Sequence, residues 1–302
     1  MKKFRAFLIL WICSSACLAD SRAIDANLIT IVPKPSKEVL LNPGKGWVLY
    51  GLPSNHSKET IALGTLSCHR FEWSAIEPEE GCFNWKPIDD FIYQWAKLGK
   101  KVIFGVMCAN PHSEGKYVTP KWVFDAGAKF EIVTTGELDP MAGKPGTRVV
   151  PDYQDPVFLT KLEAFLKALA KRYDGNPHIA FIEIRSYGNW GELFNKQHVK
   201  LHLKLFRKTR LCQSCPGYGE NPDYDWLGAQ GIAIRRDGIC GNSDGRETAR
   251  AFGYVPAIFE FYGPYEYLKK RGWWDGKQET IAGQIHGYRL EDCVEIGKPS
   301  YI

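Results

Sequence analysis

Short apolar runs alternate with longer amphipathic stretches along this chain, and the alternation predicts strands and helices in turn. Lys45–Gly51 (KGWVLYG), after the turn Asn42-Pro43-Gly44, and Thr65–Trp73 (TLSCHRFEW) read as the first two strands. Lys86–Leu98 reads as a helix: Ile88, Phe91, Ile92, Trp95 and Leu98 share one face, and Gly99 suits the position just past its end. Lys101–Met107 (KVIFGVM) is apolar almost throughout, as expected of a parallel strand covered on both faces. Gly115–Val150 is rich in Gly, Pro and Thr and lacks clear periodicity, so it reads as a long excursion of the kind that carries function.

Asp155 and Pro156 cap the next helix, with Val157, Phe158, Leu162, Phe165, Leu166 and Leu169 on its buried side. The fourth strand starts at Ile179 and places Phe181, Glu183, Arg185 and Tyr187 on one face, and Ala180, Ile182, Ile184 and Ser186 on the other. Lys196–Arg207 and Tyr224–Gln230 read as helices; Thr209–Cys212, Gly231–Gly238 and Tyr254–Phe261 read as strands five, six and seven. Helical patterns begin at Tyr265 and cover part of Glu279–Gly297, and Tyr301–Ile302 looks like the first step of an eighth strand. The pattern predicts an α/β fold, a (β/α)8 TIM barrel over residues 25–302 that stops at the start of its eighth strand.

The first 19 residues read as a signal peptide. Lys2, Lys3 and Arg5 precede the apolar run Phe7–Ile12, and small residues surround a cut after Ala19. Cys17 also suits a lipid anchor. The apolar run is too short to span a bilayer, so the expected destination is export: periplasmic, cell-surface or secreted. A net charge of +5, with both signs interspersed, does not point to nucleic acid. The 10 Trp, 14 Tyr and 16 Phe suit either a large core or platforms for the apolar faces of sugar rings. Outside the leader the cysteines are irregularly spaced, and Cys212 and Cys215 form a lone CxxC, which predicts packed thiols or a local disulfide before a metal site. His198 and His202 alone have helical i, i+4 spacing and lack the glutamate of a zinc helix, so a metal-dependent hydrolase is the weakest reading and no cofactor is expected.

Two glutamates stand at or just past strand ends, where such barrels keep their chemistry. Glu192 closes the turn Tyr187-Gly188-Asn189-Trp190-Gly191, and Glu260 lies within the apolar run IFEFY. Glycoside hydrolysis needs two carboxylates, one to protonate the leaving oxygen and one to attack or stabilise the sugar cation. Tyr187 and Trp190 are candidate sugar platforms, and Asn189 a candidate partner for a sugar hydroxyl. Arg236 and Tyr262 are candidate donors to the nucleophile, and Asp237 a candidate hydroxyl ligand. Glu183 rivals Glu192 as the acid and reads otherwise as a lumen carboxylate paired with an arginine. Arg70 and Glu72 share a face, as sugar ligands or as an ion pair; His69 faces the other way, and Trp122 is a platform or a loop anchor.

The segment 69–92, HRFEWSAIEPEEGCFNWKPIDDFI, resembles the strand-two signature of clan A glycoside hydrolases, especially the family 42 β-galactosidases. Arg70, Trp73, Ile76, Glu77, Pro78, Gly81, Phe83 and Trp85 carry the resemblance, and AKRYDGNPHIAFIEI (170–184) is similar to the run before strand four in that clan. The resemblance implies a retaining mechanism with Glu192 as acid/base and Glu260 as nucleophile. The clan usually has Asn directly before the acid/base, where this chain has Gly191; Asn189 is the nearest substitute. The expected function is a retaining hydrolase of β-glycosides, with β-galactosides foremost; the alternative is a catalytically silent carbohydrate-binding barrel.

Overall fold

Seven strands lie parallel in chain order in one sheet: β1 (Trp47–Tyr50), β2 (Gly64–Glu72), β3 (Lys101–Met107), β6 (Ile179–Ile184), β7 (Leu211–Cys215), β8 (Ala233–Ile239) and β9 (Ala257–Phe261). The computed structural model describes residues 46–136, 143–215, 222–239 and 255–261, without the side chains of 237–239 and 259–261. The expected leader with Cys17, Tyr262, and the start of the eighth strand lie outside the described residues. Among the described residues, no helix is long and apolar enough to cross a membrane.

Each of the seven strands supplies a residue to one small apolar cluster. Val48 packs against Leu66, Cys68, Ile103, Phe181, Cys212, Ala233 and Ile258. A flat sheet cannot bring residues from all its strands together on one face; a sheet curled into a (β/α)8 barrel does so in its lumen. The opposite faces belong to a separate, larger core shared with the helices.

Helix α3 (Lys86–Ala96) buries Ile88, Phe91, Ile92 and Trp95 there, and α5 (Pro156–Tyr173) buries Phe158, Leu162, Phe165, Leu166 and Leu169. Each such side chain contributes about 1.5–3 kcal/mol relative to leaving it in water. Asp155 caps α5 by accepting from Val157 N at 2.9 Å and Phe158 N at 3.0 Å, and Asn195 caps α6 (Lys196–Leu205) in the same way. Leu98 was expected on the buried face of α3 but is exposed, because the helix ends at Ala96 and the chain turns through Gly99 at φ +70°.

The excursion after β3 is built. Its short helix α4 (Lys121–Asp125) leads into an antiparallel hairpin, β4 (Phe130–Thr135) and β5 (Gly146–Pro151). Val149 N donates to the Lys116 carbonyl at 3.0 Å and ties the hairpin to the loop that follows β3. Two other short helices, α1 (Lys58–Leu63) and α2 (Trp73–Ile76), flank β2, and α7 (Tyr224–Ala229) precedes β8.

The strand-two signature has a structural explanation. Trp73 Nε1 donates to Glu77 Oε2 at 2.8 Å, and Gly81 N donates to Glu77 Oε1 at 2.9 Å. Burial pushes the Glu77 carboxyl up, opposed by these two donors. Trp122 Nε1 donates to the Glu77 carbonyl at 3.1 Å, which settles Trp122 as a loop anchor. Phe83 stacks on Trp85 at 4.8 Å. Cys212 and Cys215 are buried, unbridged thiols of β7, so the CxxC is a strand pair and no local disulfide.

Candidate active site

Past its apolar floor the lumen becomes polar. Glu183 on β6 is 2% exposed and accepts from Arg185 Nε at 2.8 Å and from Arg235 Nη1 at 2.9 Å. Arg185 is fully buried, and its Nη1 reaches Glu192 Oε1 at 3.1 Å, where Arg70 Nη1 of β2 also arrives at 3.0 Å. Five side chains therefore form one chain of contacts across the lumen, Arg235–Glu183–Arg185–Glu192–Arg70. Burial alone would push Glu183 up; the three guanidiniums of Arg185, Arg235 and Arg70 together outweigh it and hold the carboxyl at about 2. A carboxylate held in its ionised form in this way fits the reading of Glu183 as a lumen carboxylate paired with arginine.

Glycines make room for Arg185. Gly105 on β3 pairs with Glu183, and a Cβ there would stand 2.4 Å from Arg185 Cγ. Gly191 has φ +65°, and a Cβ on it would stand 2.0 Å from the Arg185 carbonyl oxygen. An Asn, or any other residue with a side chain, therefore cannot be accommodated at position 191 in this turn: the chain passes too close to Arg185. Trp190, between Asn189 and Gly191, takes the left-handed φ of 53°, which no other described non-glycine residue does. Such a conformation costs roughly 1–3 kcal/mol and persists only where its surroundings enforce it. Here Arg185 Nη1 donates to the Trp190 carbonyl at 3.2 Å, and Trp190 Nε1 donates to His112 Nδ1 at 3.2 Å.

The loop after β3 joins the arrangement. Asn110 Nδ2 donates to Glu72 Oε1 at 2.8 Å and Ser113 Oγ to Glu72 Oε2 at 3.0 Å. Arg70 and Glu72 therefore take separate partners, so of the two readings open for them the ion pair with each other does not hold. Behind the turn, His198 Nε2 faces the Tyr153 carbonyl at 2.9 Å, a group that only accepts. The His198 proton therefore sits on Nε2, and Ser186 Oγ donates to Nδ1 at 2.8 Å.

Several expected site residues lie elsewhere. Arg236 falls on the helix-facing side of β8, where Nη1 donates to the Cys215 carbonyl at 2.7 Å; its neighbour Arg235 is the one that enters the lumen. Tyr187 does not continue the lumen face, because β6 ends at Ile184; its ring packs on Tyr153 at 5.0 Å and His198 at 5.3 Å. His69 packs among Phe71 and Phe91, as a structural residue. Asp237 and Glu260 are register partners on β8 and β9, Glu260 two residues beyond the lumen residue Ile258. Sequence reasoning missed Arg235, His112 and Gly105. Gly105 had a signal, a lone glycine inside an apolar strand, which marks close approach of another group.

A sequence model of the Glyco_hydro_42 family, described as Beta-galactosidase, matches residues 56–208, just over half of the chain. The beta-galactosidase BgaH of Haloferax lucentense is 29% identical over 110 residues, covering 36% of this chain and 15% of that protein. A beta-galactosidase of Thermus thermophilus is 27% identical over 118 residues, covering 39% and 17%. The matched segment thus spans less than a fifth of either relative's own length. Among solved structures, endo-glycoceramidase II from Rhodococcus sp. aligns with 70% of this chain and 66% of its own at 15% identity and a TM-score of 0.43. The polyextremophilic beta-galactosidase of Halorubrum lacusprofundi aligns with 70% of this chain and 46% of its own at 13% identity and a TM-score of 0.46. With the family match running from before β2 to the turn ahead of β7, the chain belongs to glycoside hydrolase family 42.

Proposed function

We propose that the chain is a retaining glycoside hydrolase acting on β-glycosides, with β-galactosides as its first expected substrates. The observation that supports this best is Glu192: a buried carboxylate just past the fourth barrel strand, gripped by Arg70 of the strand-two signature. Glu260 on the seventh barrel strand is its proposed partner. In the proposed reaction the Glu260 carboxylate attacks the anomeric carbon while Glu192 gives its proton to the departing oxygen. Water then cleaves the glycosyl ester, and its proton returns to Glu192, so configuration is retained. The mechanism requires the two carboxyl groups about 5–5.5 Å apart. Asn189 and Trp190 are proposed to contact the sugar.

The test is turnover of a panel of aryl β-glycosides by a leader-free protein and by its Glu192→Gln and Glu260→Gln variants. Turnover of one sugar that both variants lose supports the assignment; turnover that survives in either variant overturns that residue's role. A second reading, saccharide binding without turnover, is favoured by one observation. Glu192 Oε1 already accepts from two guanidiniums, whereas a general acid must present a proton there. A folded wild-type protein that binds lactose by calorimetry and hydrolyses none of the panel would establish it. Export belongs to the same proposal, and an N-terminus retained at Met1 in the mature protein would overturn it.

A further inference from the structure

We infer that the face of the barrel opposite its mouth is a docking surface for an anionic lipid membrane, held by exposed lysines and arginines around a few exposed apolar side chains. The face is formed by the connections that lead into the strands: 97–101 before β3, 171–178 before β6 and 204–210 before β7, with the start of β1 and the end of α1 beside them. In a barrel of parallel strands all of these lie at one end, away from the chemistry.

Charge is concentrated there. The three connections hold nine Lys and Arg and one acidic residue, Asp174, an excess of eight against +5 for the whole chain, so the remainder of the sequence is net negative. Asp174 accepts from the backbone N–H groups of Arg207, Lys208 and Thr209 at 2.9, 3.0 and 2.7 Å, which locks the third connection against the second. Lys100 Nζ donates to the Gly64 carbonyl, Arg172 pairs with Asp89, and Lys204 pairs with Glu163. The other six cations, Lys97, Lys101, Lys171, Arg207, Lys208 and Arg210, are exposed and have no carboxylate partner among the described residues. Arg207, Lys208 and Arg210 also line a hollow of about 360 Å³ beside the start of β7, which offers a lipid phosphate three cationic neighbours.

Charge alone would suit any polyanion; the apolar side chains on the same face select a lipid. Trp47, Leu63 and Leu98 are 42%, 43% and 46% exposed. Leu98 lies within the first connection. Trp47 pairs in register with Gly64, the neighbour of Leu63, and Lys100 reaches the carbonyl of that glycine, so apolar and cationic groups are interleaved. Tryptophan and leucine beside lysine and arginine suit the headgroup layer, where apolar parts enter the acyl boundary and cations meet lipid phosphates. Docked in this way, the molecule turns its mouth, with Glu192, away from the bilayer and leaves it open to solvent.

The test is co-sedimentation with vesicles, using the leader-free protein so that the basic and apolar leader cannot itself bind lipid. One set of vesicles is phosphatidylcholine; in the other, about a third of it is replaced by phosphatidylglycerol. The protein should partition onto the phosphatidylglycerol vesicles, stay off the neutral ones, and be released by about 0.5 M salt, which screens exposed charges. Lys101→Gln, Lys208→Gln and Arg210→Gln together should weaken partitioning about a hundredfold, roughly fivefold per charge. Leu98→Ser should weaken it about fivefold at unchanged charge. All four positions are exposed, so the variants should melt with the wild-type protein. Equal partitioning onto both vesicles, binding to neither, or undiminished binding by the triple variant would each overturn the inference. Duplex DNA that displaces the vesicles, with Leu98→Ser binding them as the wild type does, would overturn it too, since the face would then take polyanions at large. None of these readouts involves turnover, so the glycosidase reading is tested apart from them.

Discussion

Removing the charge of Glu183 tests the electrostatic frame of the lumen. Its carboxyl is held at about 2 against an ordinary 4.5, a difference of about 2.5 units (4.5 minus 2). At about 1.36 kcal/mol per unit this is roughly 3 kcal/mol of folding stability. The folded value is depressed, so the contribution is fully present above about pH 4.5 and is lost as the pH falls toward about 2, with more than half gone by about pH 3. Glu183→Gln keeps the shape and deletes the charge, leaving Arg185 and Arg235 buried without their shared carboxylate. Breaking a buried pair in this way costs about 3–5 kcal/mol. The assay is urea unfolding followed by tryptophan fluorescence from about pH 7 to about pH 3, for both proteins. The destabilisation should be near 3 kcal/mol or more at neutral pH and should shrink toward about pH 3, because there the unfolded wild-type chain takes up a proton on Glu183 that the folded protein does not. A difference that stays constant across that range would refute the argument, because it would show that the loss comes from packing and not from charge.

The remaining expectations concern the turn, its support and the thiols. Gly191→Ala should cost at least about 2 kcal/mol, from the left-handed backbone and the collision with the Arg185 carbonyl, whereas Gly81→Ala should cost only about 1 kcal/mol. Gly81 also has positive φ, but a Cβ there meets nothing within 4 Å, so equal costs in the two melts would remove the steric part of the argument. Gly105→Ala should displace Arg185 and destabilise by about 1–3 kcal/mol. Denaturation at the wild-type midpoint would count against that close contact. His112→Ala should cost about 1 kcal/mol and shift the Trp190 component of the emission, isolated by subtracting a Trp190→Phe variant; an unmoved spectrum would exclude the hydrogen bond. In the native protein, site-resolved alkylation should modify exposed Cys82 and spare Cys215, whose thiol burial pushes up to about 12.

Much of this was legible in the chain itself. Lys101–Met107 forms a strand with the bounds its apolar run predicts, and α5 starts at Pro156 behind the Asp155 cap, because both signals are local. The hairpin Phe130–Pro151 was not legible, since β4 is exposed along nearly all its length and β5 buries the neighbours Arg148 and Val149 together, so neither strand alternates between a core face and a solvent face. The Arg235–Arg236 pair shows the same limit at single-residue scale. Two adjacent arginines sit on opposite faces of β8, and only pairing with β7 decides which one enters the lumen.

The sequence by itself determined the order of the seven barrel strands, the family, and the two glutamates worth asking about, because periodicity, caps and the strand-two signature are written in neighbouring residues. Only the tertiary structure decided which charges meet. Arg70, Glu183, Arg185, Glu192 and Arg235 come from three strands and one turn, and a barrel brings them together through register and curvature, which no local pattern encodes. It also decided that Gly191 must precede Glu192, because the space a side chain would need there is occupied by the backbone of Arg185.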